Sequence, residues 1–328
     1  MIFSFTATPE FDFMTYFAQH IGAMVNNDLL VIPDHIGNGY IRKLSFGPEF
    51  KITLHQYVLK EDLVIKRNTS GLGNELITIF FYSNEQTLGI AFDNDTNIQF
   101  SERDDSAIQV TSNDLNSTIR FPAGHTIRYA VIAIMPAYLK SMLALNKLNS
   151  TLETITSPCN TFLYFENMTA ETKLLLKNLS AVDMSDGMSQ FYMQIKVQEL
   201  LYLLFQKLSK RESLPHQNIN SADVARLLHI RNEIISDLSA PPVLPELAQI
   251  AAMSETKLKQ LFKQAFGDTI YNYFQRARMQ EAAFLLKQGK RSVAEVGYEL
   301  GFTNLSHFSR LFEKYYGSTP KRYSSQAY

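Results

Sequence analysis

A chain of 328 residues, 45% hydrophobic and 19% charged, can bury the cores of two ordinary domains. Its single cysteine, Cys159, excludes a disulfide framework and a four-thiolate zinc site. The net charge of −1 hides an asymmetry: Ser221 to Tyr328 holds 14 Lys and Arg against 10 Asp and Glu, net +4, and the rest holds 17 against 22, net −5. A basic C-terminal third on an acidic body suits a nucleic-acid reader joined to another function.

The start, MIFSFTATPEFDF, has no basic segment of the kind that opens a secretory signal. The longest nearly unbroken apolar run, Tyr129 to Leu139, is shorter than the about 20 residues a membrane-spanning helix needs. A cytoplasmic protein with no membrane partner is the expectation. From Met1 to about Pro136 short apolar or alternating runs recur. They are Leu29–Ile32, Tyr40–Phe46, Ile52–Leu59, Leu63–Lys66, Leu76–Tyr82, Leu88–Phe92, Ile98–Phe100, Ile108–Thr111, Thr118–Phe121 and Arg128–Met135. Turn-rich pieces such as NTSGLG (68–73) and DNDTN (93–97) separate them, which predicts a sandwich or barrel and not a parallel sheet. These strands supply Tyr57, Phe80, Tyr82 and Phe100, with His55 beside them, enough to line an apolar effector pocket with a few polar tips. The competing reading is that the same rings simply fill the interior.

After Pro136 the pattern turns helical, at Ala137–Leu148, Ala170–Leu179 and Met184–Leu208. The last carries Met193, Val197, Leu200, Leu201, Leu204 and Leu208 on one stripe, widened by Tyr192, Ile195, Leu203 and Phe205. That face is wider than one packing surface needs, so the helix is either buried in the body or meets a partner chain in a homodimer. The polar segment Ser209–Asn220 reads as a linker between a domain over 1–208 and one over 221–328, and Ala222–Leu238 is a further helix.

The C-terminal part contains a repeat. Ser254, Leu258, Leu261, Phe262, Phe266 and Gly267 precede Asn304, Phe308, Leu311, Phe312, Tyr316 and Gly317 by 50 positions. Leu247, Ala248, Ala251, Ala252 and Met253 precede Val296, Gly297, Leu300, Gly301 and Phe302 by 49, so the second copy has a turn one residue longer. Two helix-turn-helix units joined by a long helix account for both offsets. Asn304 is the expected N-cap, and Gly317 followed by Pro320 the expected stop. Within each second helix the core stripe leaves one polar face outward: Thr256, Lys259 and Gln260 in the first, Leu305, Ser306, Ser309 and Arg310 in the second. Arg310 can bond a guanine bidentately, Gln260 an adenine, and Leu305 can touch a thymine methyl. Lys257, Lys263, Lys321 and Arg322 suit phosphate contacts, which position without specifying.

Pro242 to Tyr323 resembles the double helix-turn-helix domain of the AraC/XylS transcription regulators, most specifically in the terminal GF…F…LF…G…TP…Y string. Arg278, Met279, Ala282, Leu285 and Leu286 fit the family's joining-helix pattern. Ala252 departs from it where Gly is usual and Gly297 where Ala is usual. KVQELLYLLF (196–205) and the stretch from FGDTIYNYF to GKRSVAEVGYELGFTN (266–304) look most like the siderophore-uptake regulators of the family. The resemblance implies an α+β chain: an N-terminal β-rich cupin-like barrel with helices as sensor, then an all-α domain with two helix-turn-helix units. It also implies a ligand-responsive activator with double-stranded DNA, RNA polymerase and a small-molecule effector as partners, and no cofactor.

The alternative is a cupin-type small-molecule enzyme with secondary DNA binding. The seven histidines show no H-x-H or H-E-x-x-H spacing, and neither G-x-S-x-G nor a P-loop occurs, so no catalytic or metal residue is expected. His55 and His125 could still meet in space.

Overall fold

The computed structural model describes residues 1–69, 71, 75–83, 88–91, 98–100, 107–144, 147–183 and 186–325. Contacts divide the chain into two compact units, Met1–Ala225 with Gln264–Gly267, and Arg226–Lys263 with Asp268–Tyr328.

In the first unit all ten strand expectations appear, with ends shifted by up to three residues. The strands are β1 (Ile2–Thr6), β2 (Val25–Asn26), β3 (Leu29–Val31), β4 (Gly37–Ser45), β5 (Phe50–Leu59), β6 (Leu63–Asn68) and β7 (Ile77–Tyr82). They continue as β8 (Leu88–Ala91), β9 (Ile98–Phe100), β10 (Ile108–Ser112), β11 (Ser117–Phe121), β12 (Thr126–Ile134) and β13 (Leu163–Glu166). The helices are α1 (Phe13–His20), α2 (Pro136–Leu143), α3 (Ser150–Ile155), α4 (Ala170–Ser180) and α5 (Ser189–Ser209). Asp12 caps α1 by accepting from the amides of Met14 and Thr15. The helix expected over Ala137–Leu148 ends early, at Ala144, which turns left-handed with φ 45°.

Among the described residues the strands form two sheets that do not close on themselves, so of the expected sandwich or cupin-like barrel the β-rich body is seen and a closed barrel is not. One runs β1-β6-β11-β8-β9, the other β13-β10-β7-β12-β5-β4-β3-β2. β1 joins β6 in parallel, Ile2 opposite Val64, whereas β6 and β11 pair antiparallel, Ile65 opposite Ile119. The larger sheet obeys the two-residue alternation of a strand with two different faces. Ile52, Leu54, Ile77, Ile79, Phe81, Ile132 and Ile134 join a core with Met193, Val197, Leu200, Leu201, Leu204 and Leu208 of α5. Thr53, His55, Thr78, Phe80, Tyr129 and Val131 alternate with them and line a cavity together with Ile65, Arg67 and Ile119 of the smaller sheet. The two sheets therefore face one another across that cavity. β7 has both faces covered and is buried at every position, as a central strand should be.

On α5 the expected stripe is buried, and the widening residues divide. Phe205 is buried and Leu203 packs partly against the core, whereas Met188, Phe191, Tyr192, Ile195 and Tyr202 are exposed.

The regular elements among the described residues of the second unit are all helices. It contains most of α6 (Ser221–Ser236), then α7 (Leu244–Ile250), α8 (Glu255–Phe266) up to Lys263, α9 (Ile270–Lys287), α10 (Val293–Glu299), α11 (Leu305–Tyr316) and α12 (Pro320–Ser325). Its second half packs around Met279, Ala282, Leu285, Leu286, Val296, Leu300, Phe302, Phe308 and Phe312. Among the described residues no helix is long and apolar enough to cross a membrane.

Candidate functional site

The repeat seen in the sequence is a repeat of structure. α7 and α10 are each 7 residues long, and α8 and α11 are each 12. The turn between them occupies 251–254 in the first unit and 300–304 in the second, which is the one-residue offset. Ser254 Oγ accepts from the Lys257 amide at 3.2 Å to cap α8. Asn304 Oδ1 accepts from the amides of Ser306 and His307 to cap α11, and Gly317, at φ 68°, closes it. Ser292 and Glu295 form a reciprocal capping box on α10.

Buried Arg278 of α9 secures the second turn. Its Nε donates to the Leu300 carbonyl at 3.0 Å, its Nη2 donates to the same oxygen, and its guanidinium lies 3.8 Å from the Phe302 ring centroid. Both turns pass through the left-handed region, at Ala252 with φ 47° and Gly301 with φ 75°. A Cβ at Gly301 would lie 1.7 Å from the Ser239 carbonyl oxygen. Gly301→Ala should therefore cost about 2–4 kcal/mol, from left-handed strain plus a backbone clash. Ala252→Gly should raise stability by up to about 1 kcal/mol. Thermal unfolding of both variants tests the pair, and an unchanged Gly301→Ala protein would refute the turn geometry.

Among the expected base readers Thr256, Lys259, Gln260, Ser306 and Arg310 are exposed. Lys259 Nζ lies 3.7 Å from Glu255 Oε2, and Arg310 Nε donates to the Ser306 carbonyl at 3.4 Å, so both cations lie along their own helix surfaces. Leu305 and Ser309 are only half-exposed. A Cβ at Gly297 would sit 2.6 Å from Leu305 Cδ2 and 3.2 Å from Phe308 Cδ1. The glycine thus makes room for Leu305, which packs back onto α10. This corrects the expectation for Leu305, which is not a freely outward residue. Of the expected phosphate contacts Lys257, Lys321 and Arg322 are exposed and Lys263 is half-buried.

The cavity between the sheets has a volume of about 110 Å³. Of the residues proposed for an effector pocket, His55 and Phe80 line it. Tyr57 and Tyr82 do not: both are buried, with Tyr57 hydroxyl to hydroxyl with Tyr129 at 3.0 Å and Tyr82 donating to Gln109 at 3.4 Å. The side chain of Phe100 lies outside the described residues. Sequence reasoning missed Phe5, Phe11 and Phe13, and also the cations Lys43, Lys51 and Arg67, which all line the cavity. One signal was available, because Leu63, Ile65 and Arg67 alternate along β6 and Arg67 falls on the inward face. His55 is stacked on Tyr129 with centroids 4.0 Å apart and its Nε2 is 2.9 Å from Thr53 Oγ1. His125 is exposed, with Nδ1 2.7 Å from the Ala123 carbonyl. No cluster of three or more metal-ligating side chains occurs among the described residues.

Residues 247–326 match the helix-turn-helix domain family. An uncharacterized HTH-type transcriptional regulator of Haemophilus influenzae is 35% identical over 80 residues, 24% of this chain and 27% of that protein. The activator RhaS of Escherichia coli is 29% identical over 129 residues, 38% of this chain and 44% of RhaS. The probable regulator LumQ of Photobacterium leiognathi is 27% identical over 179 residues, 47% of this chain and 72% of LumQ. The chain spans 27%, 46% and 39% of the length of three curated relatives it matches. A solved AraC-type regulator of Chromobacterium violaceum is 25% identical over 33% of this chain and 96% of that structure, with a TM-score of 0.31. A solved apo form of a ToxT point variant from Vibrio cholerae is 15% identical over 84% of this chain and 98% of that structure, with a TM-score of 0.34. Residues 247–326 thus form a helix-turn-helix domain, and the relatives sharing it are transcription regulators.

Proposed function

We propose that this protein is a ligand-responsive, sequence-specific DNA-binding transcription regulator. The observation that carries the reading is the pair of helix-turn-helix units, equal in helix length and each with a polar, exposed face on its second helix. Two reading helices in one domain suit successive major grooves about 34 Å apart, so one chain would read an asymmetric site. α8 reads through Thr256, Lys259 and Gln260, and α11 through Ser306, Arg310 and the exposed edges of Leu305 and Ser309. Lys257, Lys263, Lys321 and Arg322 hold phosphates. The domain boundaries are 1–208 and 221–328, with 209–220 between.

In this reading the N-terminal two-sheet body is a cupin-like sensor whose occupant changes DNA affinity. The exposed stripe on α5 pairs two chains, and RNA polymerase is the partner of activation, as the activators among the relatives suggest. The strings at 196–205 and 266–304 favour the siderophore-uptake branch.

DNA selected from a random pool by the full-length protein supplies the test. Arg310→Ala should cost about 1–3 kcal/mol and relax preference at one base position. Lys321→Ala should weaken all sequences alike and reduce the salt slope of log K by about one. Equal, sequence-blind losses from both variants would remove Arg310 from the reading set, and failure to enrich any sequence would overturn the function.

A further inference from the structure

The cavity between the two sheets has an unusual charge arrangement for an apolar space. Three cations line it, Lys43, Lys51 and Arg67, against one carboxylate, Asp12. The two lysines have local partners. Lys43 Nζ is 2.5 Å from Asp12 Oδ2 and 3.7 Å from Asp28 Oδ1, and Lys51 Nζ donates to the Pro9 carbonyl at 3.3 Å. Arg67 is different. It is 4% exposed, and of its donors only Nη2 is used, toward the Leu115 carbonyl at 3.0 Å. Its Nε and Nη1 have no partner.

A guanidinium carries five N–H donors and stays charged, so leaving most of them unused in a buried position is costly. Burial pulls the pKa of this one down to about 10, against the favourable fields of Tyr82 and Asp114, and it remains a cation at neutral pH. Asp114 does not satisfy it: Oδ2 accepts from the Thr161 hydroxyl and Oδ1 has no bond. Arg67 thus lines the cavity with a guanidinium, two of whose nitrogens lack an acceptor.

The rest of the wall sets the shape of the missing acceptor. Phe5, Phe13, Ile65, Phe80 and Val131 supply apolar surface on several sides. A cavity of about 150 Å³ takes one benzene molecule, so about 110 Å³ suits a smaller body, of roughly four carbons. A charge-assisted bond from guanidinium to carboxylate is among the strongest polar contacts available in such a site.

We propose that this cavity binds a small organic carboxylate, its apolar body packed between Phe5, Phe13, Phe80 and Val131 and its carboxylate oxygens accepting from the Arg67 guanidinium. This rests on the reading of the N-terminal unit as the sensor, and it names the class of ligand sensed. Lys43 and Lys51, more exposed than Arg67, add positive potential that favours entry of an anion.

Calorimetric titration of the full-length protein tests it with three probes of matched chain length, pentanoate, pentan-1-ol and pentylammonium. Pentanoate should bind, and the alcohol and the ammonium should bind at least about tenfold more weakly. Arg67→Met should weaken the carboxylate about 10- to 100-fold and leave the alcohol unchanged. Val131→Phe, which fills the apolar space and keeps the arginine, should weaken both carboxylate and alcohol. If Arg67→Met does not fold, the wild-type comparison of carboxylate with alcohol decides the charge, and Val131→Phe decides the location. Equal binding of carboxylate and alcohol, no binding of any probe, or full carboxylate affinity in Val131→Phe would each overturn the proposal. Gel shifts of the unliganded wild type separate this from the functional reading. Specific DNA binding without carboxylate binding removes the ligand class alone, whereas carboxylate binding without specific DNA binding removes the regulator.

Discussion

Phe262→Ala and Phe312→Ala should each destabilise the protein by about 3–5 kcal/mol, the range for truncating a fully buried phenylalanine. Both rings are fully buried, and each is the central knob of its helix-turn-helix unit. Phe262 meets Tyr273 of α9 edge-on with centroids 5.4 Å apart, and the Tyr273 hydroxyl accepts from buried Arg231 at 3.0 Å. Phe312 lies 6.0 Å from Phe308, 4.8 Å from Tyr316 and 5.2 Å from Tyr323, so it ties α11 to the start of α12. Each truncation empties the side of a helix that must stay fixed for its outer face to hold a reading geometry. DNA affinity should fall together with the melting temperature. A variant that keeps its melting temperature would mean that the helix faces the other way, and the outward residues assigned to it would then be core.

The second large effect is a response to acid. Burial holds the pKa of His55 down at about 3, far below the ordinary histidine value. The ring is 4% exposed, stacked on Tyr129, and its Nδ1 has no partner to hold a proton. In the unfolded chain it would take up a proton near pH 6.5, and in the folded chain only near pH 3. Between those values the unfolded state binds more protons, so stability falls as pH falls and the loss is complete below the folded value. The slope is at most about 1.4 kcal/mol per pH unit, about 2 kcal/mol between roughly pH 6.5 and 5, before most carboxylates titrate. Denaturant unfolding at a series of pH values reads it directly. His55→Phe, which keeps an aromatic ring against Tyr129, should flatten the curve over that same interval. An identical slope in that variant would move the titration to another group.

The C-terminal domain was legible because every signal that defines it is local. Apolar residues at i, i+3 and i+4, an Asn or Ser cap and a closing glycine all lie within one or two helical turns, and the 49- and 50-residue offsets reappear in α7 to α11. The face of Arg310 followed from the same periodicity. Leu305 did not, because its direction depends on space left by Gly297 on another helix. In the N-terminal unit alternation revealed the strands and said nothing about their partners. The parallel pairing of β1 with β6 joins residues about 60 apart in sequence, and β13 returns to β10 only after two helices. The tertiary structure alone decided that the sheets stay open and face each other, and that the aromatics of residues 5–13 join the cavity wall. It also decided that Tyr57 and Tyr82 are spent on buried hydroxyl bonds while Arg67 keeps two nitrogens without an acceptor. Strand order and burial are set by contacts between distant segments, where the free energy of packing outweighs anything a short window of sequence can express.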